Sequence, residues 1–331
     1  MLKGILQAMS LDVLLPFHRV DRYLYDAINS LHQSTGPTIR LILIDDRADR
    51  SADIIGLTKM LKNTFVIETQ GGCGYGEALR VGTTRIESDS VALFNSDDLV
   101  SKDRFSKQVK ALESSEICIT NLRRISASGS KTSSVTGSLT SPSYDPIFLL
   151  FGSYGANATW CMRSEWWLKN AFFDSGESLD WRIGLKKLPC SKFSYLDEPL
   201  YFYRKHKNQI TASKKVEAAK LDPIYSDWRA YLDLLGIASK ERGVFDIMAT
   251  PWLSYGKIQI EEIKAFVSEI EVIIASKPTE VKLQIEKLIQ RRMLLALRDV
   301  SLSNSQRLYL LKLGWLDSPN LIRDVAISLL R

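Results

Sequence analysis

The chain has 331 residues, of which 45% are hydrophobic and 25% charged, and its formal net charge is +6 at pH 7. These are ordinary globular values, so they exclude a largely disordered chain, and the length accommodates one large domain with an appendage. A small positive surplus suits phosphate, lipid or nucleic-acid ligands without choosing among them. A solvated basic surface is the simplest interpretation, and we expect no nucleic-acid partner.

The cysteine pattern and the hydropathy of the chain indicate the cellular compartment of the protein. The four cysteines lie far apart and form no CxxC pair, which argues against a disulfide framework or a cysteine zinc site and suits a reducing compartment. No stretch reaches the roughly 18 apolar residues that span a bilayer, and the N-terminal segment lacks a cleavage signal. We therefore expect a cytoplasmic protein and leave open a peripheral attachment at the inner face of the membrane.

Short apolar runs alternate with helical periodicity over the first third of the chain. The runs predict buried strands, and apolar residues spaced three and four apart predict the helices between them. Strand and helix in that alternation indicate parallel strands and an α/β domain. In chain order the segments are a strand at Leu11–Leu15, a helix at Tyr23–Leu31, strands at Ile39–Ile44 and Thr64–Glu68, a helix at Glu77–Glu87 and a strand at Ser90–Phe94.

Two later regions differ from this alternation in composition and in the spacing of apolar residues. Ser126–Ser143 is rich in Ser, Gly and Thr and predicts a flexible loop or a hairpin. Beyond Thr211, apolar residues recur at helical spacing, so we predict an α/β domain over residues 1–211 and a helical C-terminal domain over residues 212–331. The helices predicted there are Ile258–Ala275, Thr279–Val300, Ser305–Leu313 and Leu321–Leu330.

Polar clusters directly follow three of the predicted strands. Ligands of parallel sheets bind beyond the carboxyl ends of the strands, so we expect these clusters to meet at one edge. Adjacent carboxylates after a buried strand repel each other, and a divalent metal bound to a diphosphate is a usual compensation. The alternative is that one carboxylate caps the next helix while the other faces solvent. The clusters are Pro16-Phe17-His18, Asp45-Asp46 and Asn95-Ser96-Asp97-Asp98.

Each further candidate has a structural alternative beside its functional interpretation. The glycines of 71–76 form no GxGxxG fingerprint and come too late to open the first βα unit, so they indicate close backbone approach rather than a dinucleotide site. Asp45-Asp46 suits hydrogen bonds from a base or ribose, or simple turn chemistry. Asp180 is a candidate general base or a surface acid on a helix. His206 is a candidate metal or phosphate ligand or a solvated side chain.

Taken in order, six short segments resemble the successive landmarks of family-2 glycosyltransferases with the GT-A fold. The resemblance covers about Leu11 to Thr211, and its specificity lies in the order and spacing of the segments. It implies a GT-A sheet, Rossmann-like and mostly parallel, flanked by helices, with the helical domain outside it. The segments read VLLPFHRVDRYLYDAINSL, LILIDDRADR, GYGEALRVG, ALFNSDDLVSKDRFSKQV, SLDWRIGLK and EPLYFYRKH.

The resemblance also implies a role for individual residues in donor binding. Asp46, and with it Asp45, binds the nucleotide base, while Asp97 faces the ribose. Asp98 and His206 hold the metal, Mn²⁺ or Mg²⁺. The remaining nucleotide-binding residues are Pro16, His18, Gly76 and Arg80.

The implied reaction is direct displacement with inversion at the anomeric carbon, as in hexosyltransferases. Asp180 takes the proton from the acceptor hydroxyl, and Leu179 stands where the family often has Glu. Two other departures are Asn95 for Asp and the segment 78–80 for Ala-Arg-Asn. Candidates for a sugar platform, with core packing favoured for at least half, are Trp160, Trp166, Trp167 and Trp181.

The resemblance therefore implies transfer of a sugar from a nucleoside-diphosphate sugar, with UDP as the family-level expectation, to a glycan or glycolipid acceptor, as in cell-surface polysaccharide synthesis. The alternative is a non-catalytic nucleotide-sugar-binding or scaffold protein on the same fold. A receiver domain lacks its further Asp and Lys here, and a sugar-phosphate nucleotidyltransferase lacks its glycine-rich loop after the first strand. For residues 212–331, acceptor binding, homo-oligomer formation and membrane contact all stay open.

Overall fold

The computed structural model describes residues 10–49, 54–60, 62–136, 145–171, 173, 178–207, 209, 221–249 and 259–296. The chain divides into two compact units. One comprises residues 1–140 and 154–215, and the other comprises residues 141–153 and 216–331. The short segment 141–153 thus belongs with the C-terminal unit, which the sequence does not indicate. The predicted boundary after residue 211 lies outside the described residues and stays a prediction.

Nine strands in the described part of the first unit form one sheet. The four strands predicted from apolar runs appear as β1 to β4. The full set is β1 Ser10–Phe17, β2 Thr38–Asp45, β3 Thr64–Glu68, β4 Ser90–Leu93, β5 Leu99–Val100, β6 Ile117–Ile125, β7 Lys131–Thr136, β8 Trp160–Arg163 and β9 Phe193–Arg204.

The sheet is mixed, in the order β3-β2-β1-β4-β8-β6-β9-β5, with β7 paired to β6. Strands β1 to β4 pair in parallel, as predicted. The rest differs from a mostly parallel sheet because β8 runs antiparallel to β4 and β6, and β5 runs antiparallel to β9. Strands β6 and β7 form a hairpin, one of the two alternatives predicted for Ser126–Ser143, whose later residues lie outside the description. The α/β class is confirmed.

Helices of the first unit pack on this sheet. Helix α1 starts where Asp21 caps it, since the carboxylate accepts hydrogen bonds from the backbone N–H of Tyr23 at 2.9 Å and of Leu24 at 3.2 Å. The helices described here are α1 Arg22–His32, α2 Ile55–Met60, α3 Tyr75–Thr83, α4 Arg104–Ala111, α5 Ser164–Asn170 and α6 Leu179–Lys187.

The core lies on both faces of β1. Every residue of β1 from Leu11 to Phe17 is buried, as expected for a central parallel strand. Helix α3 approaches β2 closely at Gly82, where a Cβ atom would overlap the side chain of Ile44. This close packing holds the last turn of α3 against β1 and β2.

A buried ion pair fixes the opposite end of β1. The Asp12 carboxylate is fully buried and accepts hydrogen bonds from the Arg40 guanidinium at 2.8 and 3.1 Å. It also accepts from the backbone N–H of Glu87 at 2.6 Å and from the N–H and hydroxyl of Ser88, both at 2.9 Å. One side chain therefore ties β1 to β2 and to the turn before β4.

The second unit is helical in its described part. The predicted helices Ile258–Ala275 and Thr279–Val300 appear as α9 and α10, whereas α7 and α8 were not predicted. Ser305–Leu313 and Leu321–Leu330 lie outside the described residues. No described helix has the length and apolar character needed to cross a bilayer. The bounds are α7 Asp222–Leu235, α8 Arg242–Met248, α9 Ile260–Ala275 and α10 Thr279–Ala296.

Candidate active site

The two carboxylates after β2 have different partners. Asp45 is fully buried and accepts three hydrogen bonds from Arg47, from its backbone N–H at 3.0 Å, Nε at 2.9 Å and Nη2 at 2.7 Å. This ion pair closes the turn after β2. The structure thus gives Asp45 a local structural partner, and its predicted contact with a nucleotide base stays a prediction.

The glycine-rich segment wraps around Asp46. The Asp46 carboxylate accepts hydrogen bonds from the Thr69 hydroxyl at 2.5 Å, from the N–H and Sγ–H of Cys73 at 2.9 and 2.8 Å, and from the Gly74 N–H at 3.0 Å. Burial acts to raise the pKa of Asp46, but these hydrogen bonds outweigh it and the pKa is lowered. Three of the donors sit on Oδ1, so Oδ2 keeps capacity for a ligand N–H.

The backbone of this segment needs its glycines. Gly71, Gly72 and Gly74 have φ values of 87°, 67° and 90°, in the region that L side chains rarely adopt. At Gly71 a Cβ would also lie 2.7 Å from the carbonyl oxygen of Arg47. The close approach expected from the glycines is therefore an approach to the turn after β2.

Asp97 and His206 meet at the carboxyl end of β4. The His206 Nε2 lies 3.0 Å from Asp97 Oδ2, with the imidazole 4% and the carboxylate 29% exposed. The Tyr23 ring packs on the imidazole with a centroid separation of 4.6 Å. Within the described residues, the buried Nδ1 of His206 has no hydrogen-bond partner. Asp97 therefore keeps a partly exposed carboxylate while the histidine is held against it.

Asp98 is enclosed by protein donors. It is fully buried and accepts hydrogen bonds from the Tyr201 hydroxyl at 2.5 Å, the Arg204 N–H at 2.7 Å and the Asn95 amide at 3.1 Å. Burial and the neighbouring charge of Asp97 raise the pKa of Asp98 to about 7, although these hydrogen bonds oppose the rise. The family resemblance assigns the metal to Asp98 and the ribose to Asp97, but Asp97 is the carboxylate that is partly exposed. The metal role of Asp98 stays a prediction that this arrangement does not favour.

The charges of the candidate carboxylates act on two other side chains, His18 and Tyr75. The exposed His18 feels the charges of Asp97 and Asp46, yet burial and then the charge of Arg19 lower its pKa. The Tyr75 hydroxyl is buried beside Asn157. Burial, and then the charges of Asp180 and Asp98, raise the pKa of Tyr75. The charges of the candidate base and of the acidic motif thus both act on Tyr75.

Asp180 occupies the first turn of α6. Its carboxylate accepts a hydrogen bond from the Trp181 N–H at 2.9 Å and one from the Asn157 N–H at 3.3 Å. The preceding Ser178 has a left-handed φ of 53°, a strained conformation for a non-glycine residue. These contacts fix the position of the carboxylate that the sequence nominates as the base.

The other nominated residues have local structural roles. Pro16 is buried in β1 opposite Ile44 of β2, and Gly76 belongs to the first turn of α3. Arg80 is exposed and pairs with Glu77, with 2.5 Å between Nη2 and Oε1. The four nominated tryptophans are at most 4% exposed, which agrees with core packing.

Sequence reasoning missed several residues that hold the site together. Arg204 is 2% exposed and donates from Nε to the Asp97 carbonyl at 2.8 Å. Thr69 and Tyr201 carry hydroxyls to Asp46 and Asp98. The segment EPLYFYRKH contained Tyr201 and Arg204, but nothing local to it indicates which side chain turns toward β4.

The residues present fit a divalent cation in part. Among the described residues, no group of three or more His, Cys, Asp or Glu side chains converges on one point. Asp97 Oδ2 and His206 Nε2 are 3.0 Å apart, which is about the separation of adjacent octahedral ligands at about 2.1 Å from a metal. They would supply two ligands, leaving the others to phosphate oxygens and water.

Comparison with known proteins gives a consistent result. The sequence model described as "Glycosyl transferase family 2" matches residues 12–173. An uncharacterized glycosyltransferase of Haemophilus influenzae is 27% identical over 116 residues, covering 34% of this chain and 45% of that protein. The chain thus matches less than half of that relative's length.

Solved structures show the same likeness. A crystal structure of S. aureus TarS 1–349 in complex with UDP-GlcNAc has a TM-score of 0.56 and 17% identity, over 97% of this chain and 91% of that one. A longer S. aureus TarS structure has a TM-score of 0.53 and 16% identity, over 87% of this chain and 52% of that one. At these identities the likeness shows a shared fold.

Proposed function

Because residues 12–173 belong to glycosyl transferase family 2, we propose that this chain transfers a sugar from a nucleoside-diphosphate sugar to an acceptor hydroxyl. The fold of the first unit is GT-A. The observation that carries the proposal is the pair of carboxylates that follow β2 and β4, Asp46 with its loop donors and the partly exposed Asp97 beside His206, whose charges both act on His18. We propose UDP as the nucleotide, which is the one in the UDP-GlcNAc complex of TarS.

Asp46 recognises the base in this proposal. Its carboxylate is held by the Thr69, Cys73 and Gly74 donors and keeps an acceptor site on Oδ2. Its lowered pKa keeps it ionised at neutral pH. An ionised carboxylate accepts a hydrogen bond from the imide N–H of uracil, and such charge-assisted bonds are strong and selective. A cytosine ring, which has no N–H at that position, binds more weakly.

Asp97 and His206 hold the diphosphate end of the donor. Both would hold Mn²⁺ or Mg²⁺, which would supply positive charge to the diphosphate as it leaves. The Nε2 of His206 is kept beside the carboxylate by the Tyr23 ring. Asp98 supports the position of this pair. Its own oxygens accept hydrogen bonds from Tyr201, Arg204 and Asn95, and the pair adjoins these residues in the chain, since Asp97 precedes Asp98 and His206 follows Arg204 by two residues.

Asp180 removes the proton from the acceptor hydroxyl. As that oxygen bonds to the anomeric carbon, the bond from this carbon to the phosphate oxygen breaks, and the configuration inverts. Two backbone N–H groups fix the carboxylate, and general-base catalysis of this kind contributes about 10²- to 10⁴-fold. We further propose a glycan or glycolipid acceptor, as in cell-surface polysaccharide synthesis.

The proposal is tested by calorimetric titration with UDP, with and without Mn²⁺. We expect binding that Mn²⁺ strengthens in the wild type, and loss of that strengthening in Asp97→Ala. Lys110→Ala, an exposed α4 position, serves as the control and should bind as the wild type does. UDP binding that ignores both Mn²⁺ and Asp97 would remove the donor site from this edge of the sheet.

A further inference from the structure

A second surface of the first unit has the properties of a ligand site. An open groove of about 430 Å³ runs between α1, strand β5 and the turn that joins β6 to β7. We call it the α1 groove. Its walls include Asn29 of α1, Gln33 directly after that helix, Lys102 after β5, Lys131 at the start of β7, and Phe202 and Arg204 of β9.

The α1 groove connects to the acidic motif through one residue. Arg204 lines the groove, and its guanidinium donates from Nε to the Asp97 carbonyl at 2.8 Å and from Nη1 to the Ala127 carbonyl at 3.0 Å. His206, the partner of Asp97, follows two residues later in the chain. A ligand in the groove therefore lies against the same strand end that holds the candidate donor site.

Unpaired amides line one wall. Asn29 and Gln33 are four residues apart at the end of α1, so their side chains project from the same helical face. Both side chains are exposed, and neither makes a side-chain hydrogen bond within the described part of the chain. Two adjacent amides offer both donors and acceptors. That combination matches neighbouring hydroxyls on one sugar ring, each of which also donates and accepts.

An aromatic ring and two ammonium groups also line the groove. Lys131 Nζ lies 5.0 Å from the centroid of the half-buried Phe202 ring. Lys102 is exposed and has no ion pair among the described residues. The ring holds the Lys131 ammonium at the groove through this cation–π contact, and the ammonium groups suit a carboxylate or phosphate substituent.

Charge favours an anionic ligand over a neutral one. Asp26 is the one carboxylate among the described residues that line the groove, and it pairs with Arg204 at 3.1 Å. Its charge is therefore compensated, which leaves Lys102 and Lys131 as the net charge of the lining. The groove is polar and open, so it does not resemble the mostly apolar cavities that take compact small molecules.

We propose that the α1 groove is an acceptor subsite that binds an anionic sugar unit of the growing glycan, away from the hydroxyl that receives the new sugar. The inference rests on the proposed transferase function and adds the chemical class of its acceptor. Asn29 and Gln33 form hydrogen bonds with the sugar hydroxyls, the Phe202 ring holds the Lys131 ammonium in place, and Lys102 and Lys131 bind the anionic substituent.

The test uses a uronic acid hexasaccharide as the anionic probe and maltohexaose as the neutral one, each titrated into the full-length chain. We expect the uronate probe to bind more tightly than maltohexaose. Its affinity should fall by about tenfold or more in Asn29→Ala/Gln33→Ala and in Lys102→Ser/Lys131→Ser, because each double substitution removes two hydrogen-bonding or charged contacts. Lys110→Ser, a charge loss on α4 outside the lining, should leave the affinity unchanged.

Three results would overturn the inference. The first is equal binding of the uronate probe by the wild type and both double variants. The second is equal weakening by Lys110→Ser, which indicates general charge attraction. The third is a linear polyphosphate that binds as tightly as the uronate probe and ignores Asn29→Ala/Gln33→Ala, which indicates a simple anion site.

UDP titration of the same variants separates this inference from the proposed function. Normal UDP binding with no uronate binding rejects the α1 groove alone. Absent UDP binding in the wild type rejects the donor site, while the uronate titration still reports on the groove. Thermal unfolding of each double variant, whose substituted side chains are all exposed or half-buried, establishes that the fold is kept.

Discussion

Gly71 and Gly72 offer a matched pair of substitutions in the loop 69–74, which donates hydrogen bonds to Asp46. Both have left-handed backbones, with φ of 87° and 67°. A Cβ at Gly72 meets no atom within 4 Å, whereas a Cβ at Gly71 lies 2.7 Å from the Arg47 carbonyl oxygen and 3.2 Å from the Cα of Ala48. Gly71→Ala therefore adds a backbone clash to a conformational penalty that Gly72→Ala carries alone.

The magnitudes follow from these contacts. Placing alanine in the left-handed region costs about 1 to 2 kcal/mol at either position. At Gly71 the backbone must also move by several tenths of an ångström, because real Cβ atoms essentially never approach oxygen within 3.0 Å. That movement shifts the neighbouring hydrogen bonds, including the Gly72 N–H to the Asp46 carbonyl at 2.8 Å. We expect about 1 to 2 kcal/mol of additional cost, in line with a strained loop.

UDP titration and urea unfolding of both variants measure this effect. We expect Gly71→Ala to weaken UDP binding by about tenfold or more, since 1.4 kcal/mol corresponds to a factor of ten. Gly72→Ala should lose some stability and keep its UDP affinity within about twofold. Equal losses of UDP affinity in the two variants would show that the clash with the Arg47 carbonyl oxygen does not affect UDP binding, and would refute this prediction.

Three further outcomes follow from the same structure. Asp12→Ala should lower the free energy of unfolding by about 3 to 5 kcal/mol in urea, because it leaves the 14% exposed Arg40 without its buried partner; loss below 1 kcal/mol would contradict the role of this ion pair. Alkylation of the exposed Cys73, whose Sγ donates to Asp46 at 2.8 Å, should block UDP binding and be slowed by UDP, whereas alkylation of the exposed Cys190 should do neither. The pKa of Asp98 is raised to about 7 from a usual 3.8, so the folded state holds its proton more tightly and this group's contribution to stability falls as pH rises from about 4 to 7. In metal-free protein, Asp98→Asn should flatten the pH dependence of the free energy of unfolding between pH 4 and 7. An unchanged slope would refute the assignment of that pH dependence to Asp98.

Local patterns were sufficient for the first half of the sheet. The strands β1 to β4 and helix α1 follow from apolar runs and helical spacing, which are properties of neighbouring residues, although the edge strand β3 is only partly buried. The mixed order of the sheet does not, because β8 joins β4 and β6 from a distant part of the chain. Helix α7 was missed although its signals were present: Pro223 in the first turn and Gly236 with a left-handed φ of 72° at its end.

The site was predictable as a set of carboxylates and not as a set of roles. Nothing in the sequence distinguishes Asp97 from Asp98, since both follow β4. The distinction comes from Tyr201 and Arg204, which lie about a hundred residues later and enclose Asp98. In the same way, the donors of Thr69 and Cys73 to Asp46 depend on a loop conformation that only the folded chain defines.

The most direct test of the central claim is release of UDP from a panel of UDP-sugars in Mn²⁺, with an oligosaccharide mixture as acceptor. The wild type should release UDP from at least one UDP-sugar. Asp180→Asn should reduce the rate by about 10²- to 10⁴-fold while binding UDP as the wild type does. No release from any UDP-sugar, or a rate that Asp180→Asn leaves unchanged, would contradict the assignment of a transferase with Asp180 as its base.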